Sequence, residues 1–201
     1  MAHGMGPDSP AGFRQPLWHN WGVNPVRSRR PAPPLDPPAL ERLALRYVER
    51  FATTRGKLAG YLRRKVRERG WEGEAPADPE AVAERFAALG YIDDRGYAEV
   101  KAAALGRRGL GARRVDTALV QARVGEEDRA ALEPDIAARS VEAALAFARR
   151  KRLGPWRRAE GDRALRDKQL AAMLRAGHPL DLARRILSLP AGEDPDPELL
   201  G

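Results

Sequence analysis

Asp93 and Asp94 stand side by side, and adjacent carboxylates are raw material for metal binding or general acid–base work. They sit immediately before a helical pattern, where acids satisfy the free N–H groups of a first turn and favour the macrodipole. Capping is therefore their expected role. The histidines are His3, His19 and His178, and none has a Cys, His or acidic partner at ligand spacing. With no cysteine in the chain, neither a metal centre, a thiolate nucleophile nor a Ser-His triad can be assembled. Gly109-Leu110-Gly111, flanked by Arg107, Arg108, Arg113 and Arg114, invites comparison with a phosphate loop. It lacks a preceding strand and a Lys-Ser or Lys-Thr follower, which argues against nucleotide binding. A helix N-terminus among four arginines can still grip one phosphate of a polymer. No cofactor, no metal and no catalysis are expected.

Basic clusters are the feature that remains. Arg63, Arg64 and Arg67 fall opposite the apolar face made by Leu58, Tyr61, Leu62 and Val66, so one side of that helix can enter a core while the other meets an anion. Lys65 and Arg69 project beside the apolar face, where their stems pack. A third cluster is Arg149, Arg150, Lys151 and Arg152, with Arg157 and Arg158 beyond a turn. The net charge is +8 over 201 residues. Of 36 bases and 28 acids, the first 36 residues take four and two, and the stretch after Leu189 takes none and four, leaving 32 bases and 22 acids between them. Such an excess favours a polyanion, nucleic acid or a nucleoprotein surface.

The elements that must position these residues read as helices throughout. Only 6% of residues are aromatic and Ala, Leu, Arg and Glu abound, a helix-forming composition. From Pro37, after Asp36, the residues Leu40, Leu43, Tyr47 and Phe51 mark one face. The basic helix follows, then a helix after Asp78-Pro79 with Val82, Phe86 and Leu89. Asp93 to Arg108 carries Tyr97, Val100 and Leu105, and Ala112 to Val124 carries Val115 and Leu119. Glu126 to about Leu132 is interrupted by Pro134. Ile136 to Leu153, Arg158 to Ala176 and Pro179 to Leu189 complete the series. The pairs Leu58/Leu62, Val115/Leu119 and Leu170/Leu174 recur, each followed by a glycine turn at Gly70, Gly125 or Gly177, which points to a tandem repeat. The expected fold is all-α, with three three-helix repeats in an elongated, curved array. Their bounds are about 37–92, 93–136 and 137–189. Residues 1–36, rich in Pro and Gly, are expected to be disordered, with Trp18 and Trp21 as the one hint of a motif. Residues 190–201 are expected to form an acidic, flexible tail. No apolar run approaches the ~20 residues of a membrane span and the start lacks an apolar signal region, so a cytoplasmic address is expected.

In order and spacing these features resemble the RecX family, regulators of RecA recombinase. Thr53 to Trp71 (TTRGKLAGYLRRKVRERGW) resembles the family's Ser-Arg, Leu-x-x-x-Leu, basic-Gly helix. Phe86 to Tyr97 (FAALGYIDDRGY), containing Tyr91, Ile92, Asp93 and Asp94, resembles its Gly-Tyr-Leu-Asp-Asp signature. Arg107 to Leu119 (RRGLGARRVDTAL), with Gly109 and Gly111, resembles its Gly-x-Gly-x-x-Arg-Ile segment. The likeness spans about residues 38–189. It implies a monomeric, non-enzymatic crescent lying in the groove of the RecA filament on single-stranded DNA. That protein would inhibit ATP hydrolysis and strand exchange in homologous recombination, DNA repair and the SOS response. The basic faces expected to meet RecA or DNA are Arg63, Arg64, Arg67, Arg107, Arg108, Arg113, Arg114, Arg149, Arg150 and Lys151. Direct DNA binding without RecA is the alternative.

Overall fold

Asp36 opens the helical part of the chain: its carboxylate accepts from the Ala39 N–H, and Pro37 and Pro38 fit a first turn whose N–H groups have no helical acceptor. The computed structural model describes residues 32–158 and 162–201; of the head expected to be disordered over 1–36, residues 1–31, with Trp18, Trp21, His3 and His19, lie outside that range. The helices are α1 (Pro37–Arg50), α2 (Arg55–Arg69), α3 (Pro79–Ala88), α4 (Asp94–Arg107), α5 (Ala112–Gln121), α6 (Glu126–Ala130), α7 (Glu133–Ala138), α8 (Ser140–Lys151), α9 (Arg163–Arg175) and α10 (Leu180–Ser188). Short 3₁₀ turns cover Gly154–Trp156 and Pro197–Leu200. The fold is all-α. Among the described residues the sole β-type pairing is an isolated parallel bridge between Leu35 and Trp71.

Among the described residues, three hydrophobic clusters follow one another along the chain. The first joins Leu40, Leu43, Leu58, Leu62, Val82, Phe86 and Ile92 from α1–α3 and the turn after them. The second joins Ala98, Ala102, Val115, Leu119, Val124 and Leu132, and the third joins Ala144, Phe147, Met173, Leu182 and Ile186. Each helical set thus buries its apolar stripes against its own members, as repeat architectures do.

The structure corrects several expectations. In the third set the buried side chain of α9 is Met173, while Leu174 is exposed. A slip of one residue turns a helix face by about 100°, so Leu170/Leu174 is not the counterpart of Val115/Leu119; the hydrogen bonds below align Met173 with Leu119. On α4 the buried face is Ala98 and Ala102, and Val100 points to solvent. The glycine turn expected at Gly125 is made instead at Arg123, with φ 57°. The single helix expected from Ile136 is split at Arg139 into α7 and α8. Both ends of the expected helical region are also longer: Leu35 is fully buried in the first cluster, and the acidic stretch expected to be flexible ends with Leu200 buried in the third.

The sets are joined through the ends of their middle helices. Thr54, the N-cap of α2, accepts from the Lys57 N–H and donates its hydroxyl to the Ala122 carbonyl at the end of α5, 2.6 Å away. Gly111, the N-cap of α5, donates its N–H to the Ala176 carbonyl at the end of α9, 2.9 Å away. Helix ends carry unpaired donors and acceptors and opposite partial charges, so each contact satisfies an orphan carbonyl and sets dipoles head to tail. Both accepting ends share the same closure. Val124 N–H bonds the Leu119 carbonyl and Arg123 that of Val120, as His178 N–H bonds Met173 and Gly177 bonds Leu174, the Schellman pattern.

A buried carboxylate reinforces the first joint. Asp94 is 8% exposed and accepts from both the backbone N–H (2.8 Å) and the Nε (2.9 Å) of Arg55. Arg55 also reaches Glu84 at 3.1 Å and Asp128 at 3.7 Å, so one guanidinium ties α2, α3, α4 and α6 together. Hydrogen bonds to Asp94 and Glu84 raise its pKa above the ordinary arginine value. Asp94→Asn keeps the shape but removes the charge. The expected loss is about 1–3 kcal/mol, moderated by the exposure of Arg55, and urea unfolding followed by helical circular dichroism will measure it.

Candidate polyanion-binding surface

The Gly109–Gly111 turn is built where the ends of α4, α5 and α9 converge on α8. Gly109 has φ +74° and lies where a Cβ would come within 2.7 Å of the Phe147 backbone nitrogen; at Gly111 a Cβ would sit 2.4 Å from the Gly177 carbonyl oxygen. Neither position has room for a side chain. The expected phosphate-loop-like segment is therefore a close crossing of α4, α5, α8 and the end of α9. Beneath it His178 is 1% exposed, with its ring 5.6 Å from that of Phe147. Its Nε2 lies 3.2 Å from the Gly109 carbonyl oxygen, which can only accept, so Nε2 carries the hydrogen. Nδ1 is buried without a partner. Burial holds the His178 pKa below its ordinary value, opposed by the bond to Gly109.

Around this crossing lie most of the basic residues singled out from the sequence. Arg107 and Arg108 end α4, Arg113 and Arg114 begin α5, and Arg149, Arg150 and Lys151 end α8; all seven are exposed. None has an acidic partner within 4 Å among the described residues. Arg150 donates to the Arg108 carbonyl and lies over the Phe147 ring, and the stem of Arg114 packs at Gly177. These two contacts bring the α4, α5 and α8 cations to one joint. Arg107 faces a cleft of about 610 Å³ floored by Ala102, Ala103, Gly106 and Ala143, with Asp135, Arg139 and Glu142 also in its walls.

The first cluster of cations is different in kind. Arg63 pairs with Glu80 at 2.9 Å and Arg64 with Glu68 at 3.5 Å, and Arg64 and Lys65 lie over the Tyr61 ring. Lys65 holds Glu68 below the usual carboxylate range. Arg67 has no such acidic partner among the described residues and borders a small depression with Ala77 and Pro79. Exposed pairs are weak, yet they already offset the charge that Arg63 and Arg64 would offer a polyanion. Among the sequence motif residues, Tyr91 is exposed against Phe86 and Ile92 is in the first core cluster. Asp93 accepts the Gly96 N–H at 2.8 Å as the N-cap of α4, while Asp94 is the inter-set anchor. Arg55 was missed from sequence. Its signal was present: a cation at the first position of α2 opposes the helix macrodipole, a misfit that a dedicated carboxylate resolves.

Among the described residues no group of His, Asp or Glu side chains could hold a metal ion, and no helix is long and apolar enough to cross a membrane.

No family model matches the chain. Over 178 residues it is 34% identical to the regulatory protein RecX of Myxococcus xanthus, a match covering 83% of this chain and 94% of that protein. The chain belongs to the RecX family. The RecX regulatory protein of Agrobacterium fabrum is 27% identical over 157 residues, 76% of this chain and 84% of its own length. The crystal structure of RecX from Lactobacillus salivarius shares the fold, with a TM-score of 0.51 at 17% identity, covering 73% of this chain and 91% of that one. The helical architecture is thus a RecX architecture, and the family is one of named regulatory proteins.

Burial of His178 is expected to make this joint lose stability in acid. Its folded pKa lies below the unfolded 6.5, so the unfolded chain takes up the proton first. The associated stability is intact above pH 6.5 and is lost as pH falls from there towards the folded value, by up to about 1.4 kcal/mol per pH unit. His178→Val, matching Val124 in the equivalent closure, is expected to flatten the decline in unfolding free energy below about pH 6.5 relative to wild type.

Proposed function

We propose that this RecX-family chain binds RecA filaments assembled on single-stranded DNA and modulates, mainly inhibits, RecA ATP hydrolysis and strand exchange, acting by occupancy without turnover. RecA as the partner comes from the family resemblance. The single observation that carries the polyanion part is the gathering of exposed, acid-free arginines around the Gly109–Gly111 crossing. An electrostatic surface of this kind captures a charged fibre quickly and loses affinity with added salt, while the helix joints hold its cations in register. The basic faces of α2, α4, α5 and α8 are the contact residues in this reading, with those of α4, α5 and α8 dominant because Arg63 and Arg64 are internally paired. The protein works in this reading as a cytoplasmic monomer in recombinational repair.

The test is RecA ATPase and strand exchange on single-stranded DNA with increasing amounts of the protein. Inhibition is expected, and Arg113→Glu with Arg114→Glu is expected to weaken it about tenfold or more, with a shallower salt dependence. Arg63→Glu with Arg64→Glu is expected to weaken it less. Unchanged RecA activity together with tight binding to bare DNA would replace this reading by RecA-independent DNA binding.

A further inference from the structure

The acidic segment after α10 does not leave the body of the protein. Gly192 donates its N–H to the Pro155 carbonyl at 2.9 Å. The Asp196 carboxylate accepts the Glu198 N–H at 2.9 Å and starts the Pro197–Leu200 turn. That turn delivers Leu200, 5% exposed, into the third core cluster beside Ala144 and Phe147 of α8. Between these two anchors the segment faces the basic end of α8. Asp194, Pro195 and Pro197 form one wall of a cleft of about 660 Å³ whose other walls are Leu145, Ala146, Arg149, Arg150 and Trp156.

The charges on the two sides match in number. The segment holds Glu193, Asp194, Asp196 and Glu198 and no base, and the end of α8 holds Arg149, Arg150, Lys151 and, just beyond it, Arg152. All eight are exposed, and among the described residues none of the four acids forms an ion pair within 4 Å with these cations. Asp194, across the cleft from Arg149 and Arg150, and the acids beside it therefore lower the local potential without locking either arginine. A cover anchored by Leu200 and the Gly192 bond, with no ion pair to these cations among the described residues, can be displaced by a stronger anion.

We propose that the segment Glu193–Glu198 is a built-in competitor that covers the basic end of α8, so that a phosphate backbone must displace it to engage Arg149 and Arg150. This rests on the polyanion reading given above. It sets a threshold: weak or isolated phosphates leave the cover in place, whereas a dense polyanion removes it.

Binding of the full-length chain to a labelled oligothymidylate, bare and coated with RecA, tests the proposal at several salt concentrations. One variant neutralises the segment (Glu193→Gln, Asp194→Asn, Asp196→Asn, Glu198→Gln); a second, Leu200→Ser, releases the anchor without changing net charge. Both are expected to bind about 3- to 10-fold tighter at low salt, with a salt slope steeper by about one phosphate contact, and both gains should vanish when Arg149→Glu and Arg150→Glu are added. Thermal melts confirm that each variant is folded, and the Gly192 amide is expected to exchange faster with solvent in the DNA-bound wild type. If wild type binds but Leu200→Ser gains nothing, the competitor is overturned, because any gain from neutralisation is then a net-charge effect, and the polyanion reading stands. If neither wild type nor any variant binds either probe, both readings fall.

Discussion

The structure depends on one recurring interaction, the satisfaction of the last carbonyls of one middle helix by the first donors of another. Ala176 of the α9 end meets Gly111, and Ala122 of the α5 end meets Thr54. A helix terminus left bare in a protein interior carries a desolvation cost of roughly 1–3 kcal/mol per orphan group. These joints remove that cost for the last carbonyls of α5 and α9, and at Gly111 they do so where the N-cap of α5 has no side chain to offer. They also dictate residue type. Gly111 has no room for a Cβ, and Arg123 is held in the left-handed region while its guanidinium donates to the Gly56 carbonyl at 3.3 Å.

The same joints explain why the cations gather. Arg107 and Arg108 precede Gly109, and Arg113 and Arg114 follow Gly111, so any geometry that seats Gly111 on the α9 end carries four arginines with it. Arg150 is drawn in because Gly109 packs on the Phe147 backbone one turn earlier in α8. The binding surface is in this sense a by-product of how two helical sets are connected, and its chemistry is that of a positioned array of charge. A reaction centre would need converging acid, base or nucleophile groups, and the carboxylates that do come inward, Asp94 above all, are committed to holding helices together.

Much of this was legible in the sequence because helix formation is local. The helix starts at Asp36, Asp78 and Asp93 and the apolar spacing of Leu58, Leu62, Val115 and Leu119 were enough to place α1 to α5 and to identify the family motifs. What escaped was set by long-range geometry. Nothing in the spacing of Leu170, Met173 and Leu174 says which of them faces inward, since three apolar residues so close together leave the rotation of the helix undetermined until α10 and α8 pack against it. Leu35 and Leu200 looked like parts of featureless ends because each lies in a short stretch dominated by prolines or acids, and its burial is decided by residues far away in sequence. The basic clusters could be counted from sequence, but only coordinates separate Arg63, already spoken for by Glu80, from Arg113, which is not.

The closure at the end of α5 has a further consequence for how the molecule comes apart. Each helical set has its own apolar cluster, and its neighbours are attached by terminal bonds and by limited packing such as that of Leu110 on the third cluster. Cooperativity between sets is then only as strong as those contacts, as in a one-dimensional lattice with weak nearest-neighbour coupling. Arg123, whose guanidinium reaches Gly56 from a left-handed turn, shares with Thr54 and the Arg55–Asp94 pair the coupling that decides whether the first two sets unfold separately or in concert.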